Sequence, residues 1–168
     1  FMSVNVSGLQ LSELSEIDRL ARVIEQSGVD PAVIKLEITE TLLVDDPEHA
    51  AEALRKIKQL GVSLAIDDFG TGYSSLSYLH QFPLDTLKID REFVNNMDKS
   101  EVSKRIVGSI VQLALALEMD IVAEGIEEKA QMDALRELGC QYGQGYYMAR
   151  PVSAAKTIEL IESRPNWS

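Results

Sequence analysis

The segment GVSLAIDDFGTGYSS, residues 61–75, contains a predicted buried strand, Leu64–Ile66, that is followed at once by Asp67 and Asp68. Two carboxylates a few ångströms apart oppose each other's ionisation, because each negative charge disfavours the other. A divalent cation between them removes that conflict, although either aspartate could instead cap the Gly-Thr-Gly turn that follows. This segment alone leaves both interpretations open.

Other apolar segments of the chain end in polar side chains in the same way. MSVNVS, VIKLEITE, LKIDREF, DIVAEGIEE and CQYGQGYYM carry, in order, Asn5, Glu37 with Glu40, Lys88 with Asp90, Glu124 with Glu127, and Gln144. Taken singly, each could be an ordinary turn or surface residue. The successive steps between Asn5, Glu37, Asp67, Lys88, Glu124 and Gln144 are 32, 30, 21, 36 and 20 residues. Because a strand with its crossover helix takes about 30 residues, the spacing predicts a repeated strand–helix unit.

Amphipathic segments separate these strands. Apolar residues at helical spacing predict helices over residues 15–28, 46–61, 100–119, 128–138 and 153–163. The strands are apolar almost throughout rather than alternating, which is typical of parallel strands buried on both faces. An open doubly wound sheet and a TIM-type (β/α)8 barrel both place ligands at the carboxyl ends of the strands. Convergence of polar groups from successive strands favours the barrel.

The length of the chain limits how much of a barrel it can form. A complete (β/α)8 barrel takes about 250 residues, whereas this chain has 168 and begins inside its first predicted strand. We therefore expect residues 1–168 to be the C-terminal part of one barrel domain, an α/β fold that is incomplete in this chain. The first strands of the barrel are expected to be missing.

Six motifs occur in a fixed order: SVNVS, LEITE, DDFGTGYSSLSYL, LKIDREFV, AEGIE and QGYYMARP. Through them the chain resembles the EAL domain, the bacterial cyclic di-GMP phosphodiesterase, over essentially its whole length. The resemblance implies hydrolysis of cyclic di-GMP to linear pGpG by two-metal-assisted attack of water on a phosphodiester. The Glu-Ala-Leu motif that names the family lies upstream of its asparagine strand and does not occur here. One glutamate metal ligand of the family is therefore missing from this sequence.

The resemblance implies metal-binding roles for five residues. Asn5, Glu37 and Asp67 would bind one ion, and Asp67 would bridge to a second ion. Asp68 and Glu124 would serve the second ion and the attacking water, which makes both of them catalytic candidates as well.

The resemblance also implies roles around those ions. Lys88 would be catalytic, next to the water and the phosphate, while Gln144 and Asp90 would contact the substrate. Glu40 would anchor the loop after Asp68, and Glu127 would support the site from behind. Lys88 could otherwise be a Schiff-base lysine, but the surrounding acids would keep it protonated and a poor nucleophile.

The composition supports metal-assisted chemistry without reference to any family. The formal net charge is −11, so the field of the chain repels an anionic dinucleotide. Hard divalent cations held by oxygen ligands reverse the local sign of the charge, and a pair of them can activate water and stabilise the leaving oxygen. No histidine–cysteine cluster is present, which argues against zinc and for Mg²⁺ or Mn²⁺; the resemblance implies two such ions.

The expected partner is cyclic di-GMP, and the absence of a basic aromatic patch argues against a DNA or RNA duplex. The resemblance implies a homodimer through the region Asp68–Ser75, upstream sensor or GGDEF domains, and a cytoplasmic domain whose parent protein could be membrane-anchored. Cys140 is the single cysteine and cannot form an intrachain disulfide. Two other functions stay open: a catalytically silent cyclic di-GMP receptor and a purely structural dimerisation module.

Overall fold

A parallel sheet forms the centre of the computed structural model, which describes residues 1–7, 11, 14–70, 79–165 and 167. Its six strands are β1 (Met2–Asn5), β2 (Ile34–Thr39), β3 (Ser63–Phe69), β4 (Thr86–Ile89), β5 (Asp120–Ala123) and β6 (Tyr142–Gly143). Each strand pairs in parallel with the next one along the chain, in the order β1-β2-β3-β4-β5-β6. All carboxyl ends therefore lie at one edge of the sheet.

Helices connect the strands. Within the described residues they are α1 (Leu14–Ser27), α2 (Glu40–Asp45), α3 (Pro47–Lys58), α4 (Arg91–Asn96), α5 (Glu101–Ala116), α6 (Lys129–Leu138) and α7 (Ala154–Ser163), with a 3-10 turn at Pro31–Val33. The five longer helices match the predicted segments apart from their ends. The short helices α2 and α4 were not predicted, because six residues are too few to show a helical period. Both helices lie next to candidate site residues, since α2 begins at Glu40 and Asp90 caps α4.

The two faces of the sheet differ in character: burial on both faces is confirmed for β2 and β4, whereas the prediction that the strands are apolar almost throughout is wrong. Leu36, Ile66 and Ile89 belong to the apolar face, which is buried in one hydrophobic core together with residues of the helices. Lys35 and Glu37 alternate with them on β2 and are also buried. Successive strand residues point to opposite faces, so the other face of the sheet is polar. Its side chains are tolerated because they bond to one another.

The polar face has two layers of bonded side chains. In the lower layer, Lys35 Nζ donates to Thr86 Oγ1 at 2.7 Å and lies 4.3 Å from the centre of the Phe1 ring. The upper layer lies at the carboxyl edge and contains the candidate site. At the opposite edge, Asp85 accepts hydrogen bonds from Lys58 Nζ and from the Leu64 amide, which ties α3 to the start of β4.

The sheet is curled into a half-barrel with flanking helices, which confirms the predicted TIM-type α/β fold. Strands β1 and β6 are its two edges, so the ring stays open among the described residues, as the prediction of an incomplete barrel requires. No helix in this part of the chain has the length and apolarity that a membrane crossing needs. Except for Gly70, the predicted Gly-Thr-Gly turn lies in residues 71–78, outside the described residues, as does most of the predicted dimer loop.

Candidate active site

Lys88 lies at the centre of the candidate site, in the middle of the upper polar layer. Its ammonium contacts Glu37 Oε2 at 2.6 Å, Asp67 Oδ1 at 2.9 Å and Glu124 Oε1 at 2.6 Å. The lysine side chain is 5% exposed and its three partners are 8–17% exposed. Four strand ends, those of β2, β3, β4 and β5, therefore meet at one ammonium group. The sequence predicted that these residues converge, but not that Lys88 bridges the acids.

This environment keeps Lys88 protonated. Burial by itself lowers the pKa of Lys88, but hydrogen bonds to Glu124, Glu37 and Asp67 outweigh it and raise the pKa above the ordinary value. An ammonium group has three N–H donors, and three carboxylates occupy them here. The Schiff-base alternative therefore fails in the described structure, because a protonated, fully bonded amine is not a nucleophile.

Asp67, Asp68 and Glu124 form a group of acids that fits a metal ion. Each offers a carboxylate oxygen, and these ligand atoms all lie within 4.8 Å of one another. The pairing of β3 with β4 shifts between Ile66 and Phe69, and Asp68 adopts a left-handed conformation with φ of 53°. Adjacent strand residues normally face opposite sides, so this bulge is what lets both aspartates face one site. Oxygen ligands of this kind suit Mg²⁺, Mn²⁺ or Ca²⁺.

The charges at the site do not balance. Glu37, Asp67, Asp68 and Glu124 are four carboxylates around the single ammonium of Lys88. Burial raises the pKa of Glu124 even though Lys88 opposes that rise. Burial also raises the pKa of Asp68, and the negative charges of Asp67 and Asp90 add to the rise. The site therefore keeps excess negative charge that a bound cation would neutralise.

Asp90 follows β4 and lies between the acids and α4. Its Oδ1 accepts a hydrogen bond from the Glu92 amide at 2.7 Å and so caps α4. Its side chain also lies near Asp68, because its negative charge contributes to the raised pKa of Asp68. The structure thus places this predicted substrate contact against a predicted metal ligand and at a helix start.

Glu40 is the first residue of α2, and Glu127 follows β5. Glu40 is almost fully buried, and its Oε2 accepts a hydrogen bond from the Gly70 amide at 2.8 Å. Glu127 lies in the loop after β5, where its amide and that of Glu128 donate to Oε1 of Gln131 at 2.8 and 3.1 Å. Sequence reasoning missed Gln131, a buried residue. Its signal was the position three residues after Glu128, where a capping-box partner belongs.

Gln144 and Glu124 join the loops after β6 and β5. Gln144 Nε2 donates to Glu124 Oε1 at 2.7 Å, the same oxygen that contacts Lys88. The backbones interlock as well, since the Ile126 amide donates to the Gln144 carbonyl and the Tyr147 amide to the Ile126 carbonyl. A β-carbon on Gly145 would overlap the Ile126 backbone. Glycine at this position therefore allows the close approach of the two loops.

Asn5 lies at the end of β1, beside Glu37 in the strand register. It is exposed, as are the other β1 residues. Glu37 is not part of the close group formed by Asp67, Asp68 and Glu124. The two residues predicted to complete a first metal site are therefore neighbours on the polar face, next to the acid group rather than within it.

The site contains several carboxylates bridged by a lysine and lies at the carboxyl edge of a TIM-type sheet, where enzymes of this fold have their active sites. Comparison with known proteins identifies the family. Residues 1–151 match the family model of the EAL domain. The chain belongs to the EAL domain family, as the sequence motifs predicted.

Two relatives come from Pseudomonas aeruginosa. The cyclic di-GMP phosphodiesterase NbdA is 38% identical over 162 residues, which cover 96% of this chain and 21% of NbdA. The bifunctional diguanylate cyclase/cyclic di-GMP phosphodiesterase MucR is 38% identical over 160 residues, which cover 95% of this chain and 23% of MucR. The chain therefore spans about a fifth of the length of these curated relatives.

Solved structures of EAL proteins share the fold. The PaMucR phosphodiesterase in complex with c-di-GMP superposes with a TM-score of 0.89 at 38% identity, over 92% of this chain and 63% of that one. The EAL enzyme Bd1971, in its cAMP- and cyclic-di-GMP-bound form, gives a TM-score of 0.91 at 40% identity, over 96% of this chain and 43% of that one.

Proposed function

We propose that this chain carries the hydrolytic site of a metal-dependent phosphodiesterase that opens cyclic di-GMP to linear pGpG. The observation that carries the proposal is the group of Asp67, Asp68 and Glu124 next to Lys88. Membership of the EAL family supports it, as do relatives named cyclic di-GMP phosphodiesterases. Hydrolysis adds negative charge to a phosphodiester that is already anionic, so a site for it needs cations at its centre.

Mg²⁺ or Mn²⁺ is the proposed cofactor, as two ions. Asn5, Glu37 and Asp67 would hold one ion, and Asp67, Asp68 and Glu124 would hold the other. When bound, the ions would supply a water of lowered pKa and a counter-charge for the phosphate. The excess carboxylates described above are the reason why the residues fit such ions.

Lys88 and Gln144 hold the acids of the site in place. The Lys88 ammonium contacts three carboxylates, and Gln144 donates to Glu124 Oε1. We propose that Lys88 stays protonated and orients the attacking water and the phosphate next to these acids, and that Asp90 and Gln144 line the substrate.

Some proposals concern the protein beyond this site. We propose that residues 1–168 are the C-terminal part of an EAL domain and that a Glu-Ala-Leu glutamate from preceding sequence completes the metal ligands. The domain would dimerise through the region Asp68–Ser75, respond to sensor or GGDEF domains, and act in the cytoplasm.

The test is conversion of cyclic di-GMP to pGpG by the full-length protein, followed by chromatography. We expect turnover with Mg²⁺ or Mn²⁺ and none in excess chelator. Glu124→Gln should abolish it, whereas Glu137→Gln, the same change at an exposed position of α6, should leave it unchanged. Binding of cyclic di-GMP without any hydrolysis would instead identify a silent receptor, and a dimer that does not bind the dinucleotide would identify a structural module.

A further inference from the structure

The turn after the two aspartates contains two left-handed residues close together. Asp68 has φ of 53° and Gly70 has φ of 98°. A non-glycine residue in this region is strained, and glycine has wide conformational freedom. The intrinsic backbone preferences of Asp68 and Gly70 therefore do not fix the conformation of this turn. Contacts from neighbouring elements must hold it.

Two elements hold Gly70 from opposite sides. Glu40, the first residue of α2, accepts the hydrogen bond of the Gly70 amide at 2.8 Å. From α4, the ring of Phe93 lies against Gly70 so closely that an added β-carbon would be 2.8 Å from its Cε2 and 3.2 Å from its Cζ. The amide is fixed by a carboxylate, and the other side of the glycine is covered by an aromatic ring.

The helix that carries Phe93 is itself anchored at the site. Asp90 caps α4 through the Glu92 amide, and its negative charge lies near Asp68. Asp68 is therefore next to the start of α4, and Gly70 is covered by the first turn of the same helix. Phe93 is partly buried and packs against the hydrophobic core, which gives its ring a fixed position.

We infer that Phe93 is a positioning residue, whose ring closes the Asp68–Gly70 turn and so keeps Asp67 and Asp68 facing Glu124. Its link to metal binding rests on the proposed function. Phe93 does not contact the reacting groups; it acts through Gly70. Replacing the ring with a smaller side chain leaves space beside a glycine that can adopt many conformations, and the turn then gains freedom at the residue next to the acids.

The experiment compares Phe93→Leu with Phe82→Leu in the full-length protein. Phe82 is a buried core residue close before β4, so the same change there tests the general effect of losing a ring. Amide hydrogen exchange at Gly70 reports on the turn, and calorimetric titration with Mn²⁺ reports on the acids. For Phe93→Leu we expect Gly70 exchange to accelerate and the Mn²⁺ dissociation constant to rise about tenfold, the low end for residues that support metal ligands.

The Phe82 variant should lower the unfolding temperature but leave both readouts near those of the wild type. Equal Gly70 exchange in the two variants would overturn the inference. If Phe93→Leu does not fold, Phe93→Met, which retains more of the volume, should show the same changes at smaller size. A wild-type protein that binds no Mn²⁺ would overturn the proposed function, whereas the exchange comparison would still decide the role of Phe93.

Discussion

Replacing Lys88 with methionine should leave its acids without a counter-charge while roughly preserving the packed volume. In the wild type the ammonium contacts Glu37, Asp67 and Glu124 within 2.9 Å, and the lysine side chain is 5% exposed. Removing one partner of a buried ion pair destabilises a protein by about 3–5 kcal/mol. Since the three acids retain some solvent contact, we expect a loss of about 3 kcal/mol in the free energy of unfolding at neutral pH.

The loss should depend on pH and on divalent cations. Burial raises the pKa of Glu124 and Lys88 opposes that rise, so removal of Lys88 should raise the pKa of Glu124 further above its value in the unfolded chain. At a pH below the unfolded value, about 4, Glu124 is protonated in both states and the loss is small. It grows as the pH rises through that value towards 7. At one fixed concentration, Mg²⁺ should stabilise the variant more than the wild type, because it replaces the missing positive charge; at 100 times the variant's dissociation constant the gain is about 2.7 kcal/mol.

Urea unfolding of the two proteins at pH 4.5 and 7, with chelator or with Mg²⁺, measures these differences. Lys129→Met is the matched control, because Lys129 is an exposed lysine paired with Asp133, and exposed pairs contribute at most about 1 kcal/mol. If Lys88→Met is as stable as Lys129→Met at pH 7 in chelator, the bridging role of Lys88 is wrong. Equal stabilisation by Mg²⁺ in wild type and variant would also contradict the reasoning.

Three further changes test other parts of the molecule. Calcium in place of Mg²⁺ should support little turnover of cyclic di-GMP because its looser coordination shell misplaces the water; full activity with calcium, measured by chromatography, would argue against the proposed site. Burial raises the pKa of the Cys140 thiol to about 11, so the native protein should react slowly with a thiol reagent at pH 8 and faster as the pH approaches 11, while the urea-unfolded chain reacts at once. Rapid native reaction at pH 8 would contradict that burial. Asp85→Asn at the opposite edge of the sheet should lower the free energy of unfolding by about 1 kcal/mol, the usual scale for such a hydrogen-bonded pair, and should leave turnover unchanged.

The sequence was sufficient to predict the elements that depend on long patterns. The spacing of the polar strand ends predicted parallel strands with a shared carboxyl edge, and the helical periods located α1, α3, α5, α6 and α7. Local sequence could not reveal which polar side chains would bond to each other. Lys88 reaches Glu37 across 51 residues of chain, and that contact depends on the curl of the sheet.

The character of the strands was misjudged for a physical reason. The strands were predicted to be apolar almost throughout, because strands in parallel sheets are usually apolar on both faces. In this sheet the polar face is buried but bonded within itself, as in the pair Lys35–Thr86. Similarly, the sequence predicted no role for Phe93, since its contact with Gly70 joins parts of the chain that lie on either side of β4.

The separation of the two sheet faces limits how such a protein can lose activity. The apolar face and the helices form the hydrophobic core, whereas the proposed site lies on the other face, so single acids can be replaced without opening the core. Because the acids outnumber the ammonium, loss of one of them relieves repulsion, but loss of Lys88 first leaves buried charge uncompensated. If such a protein evolves from an active phosphodiesterase into a catalytically silent receptor, the acids of this site should therefore be lost early and the lysine last.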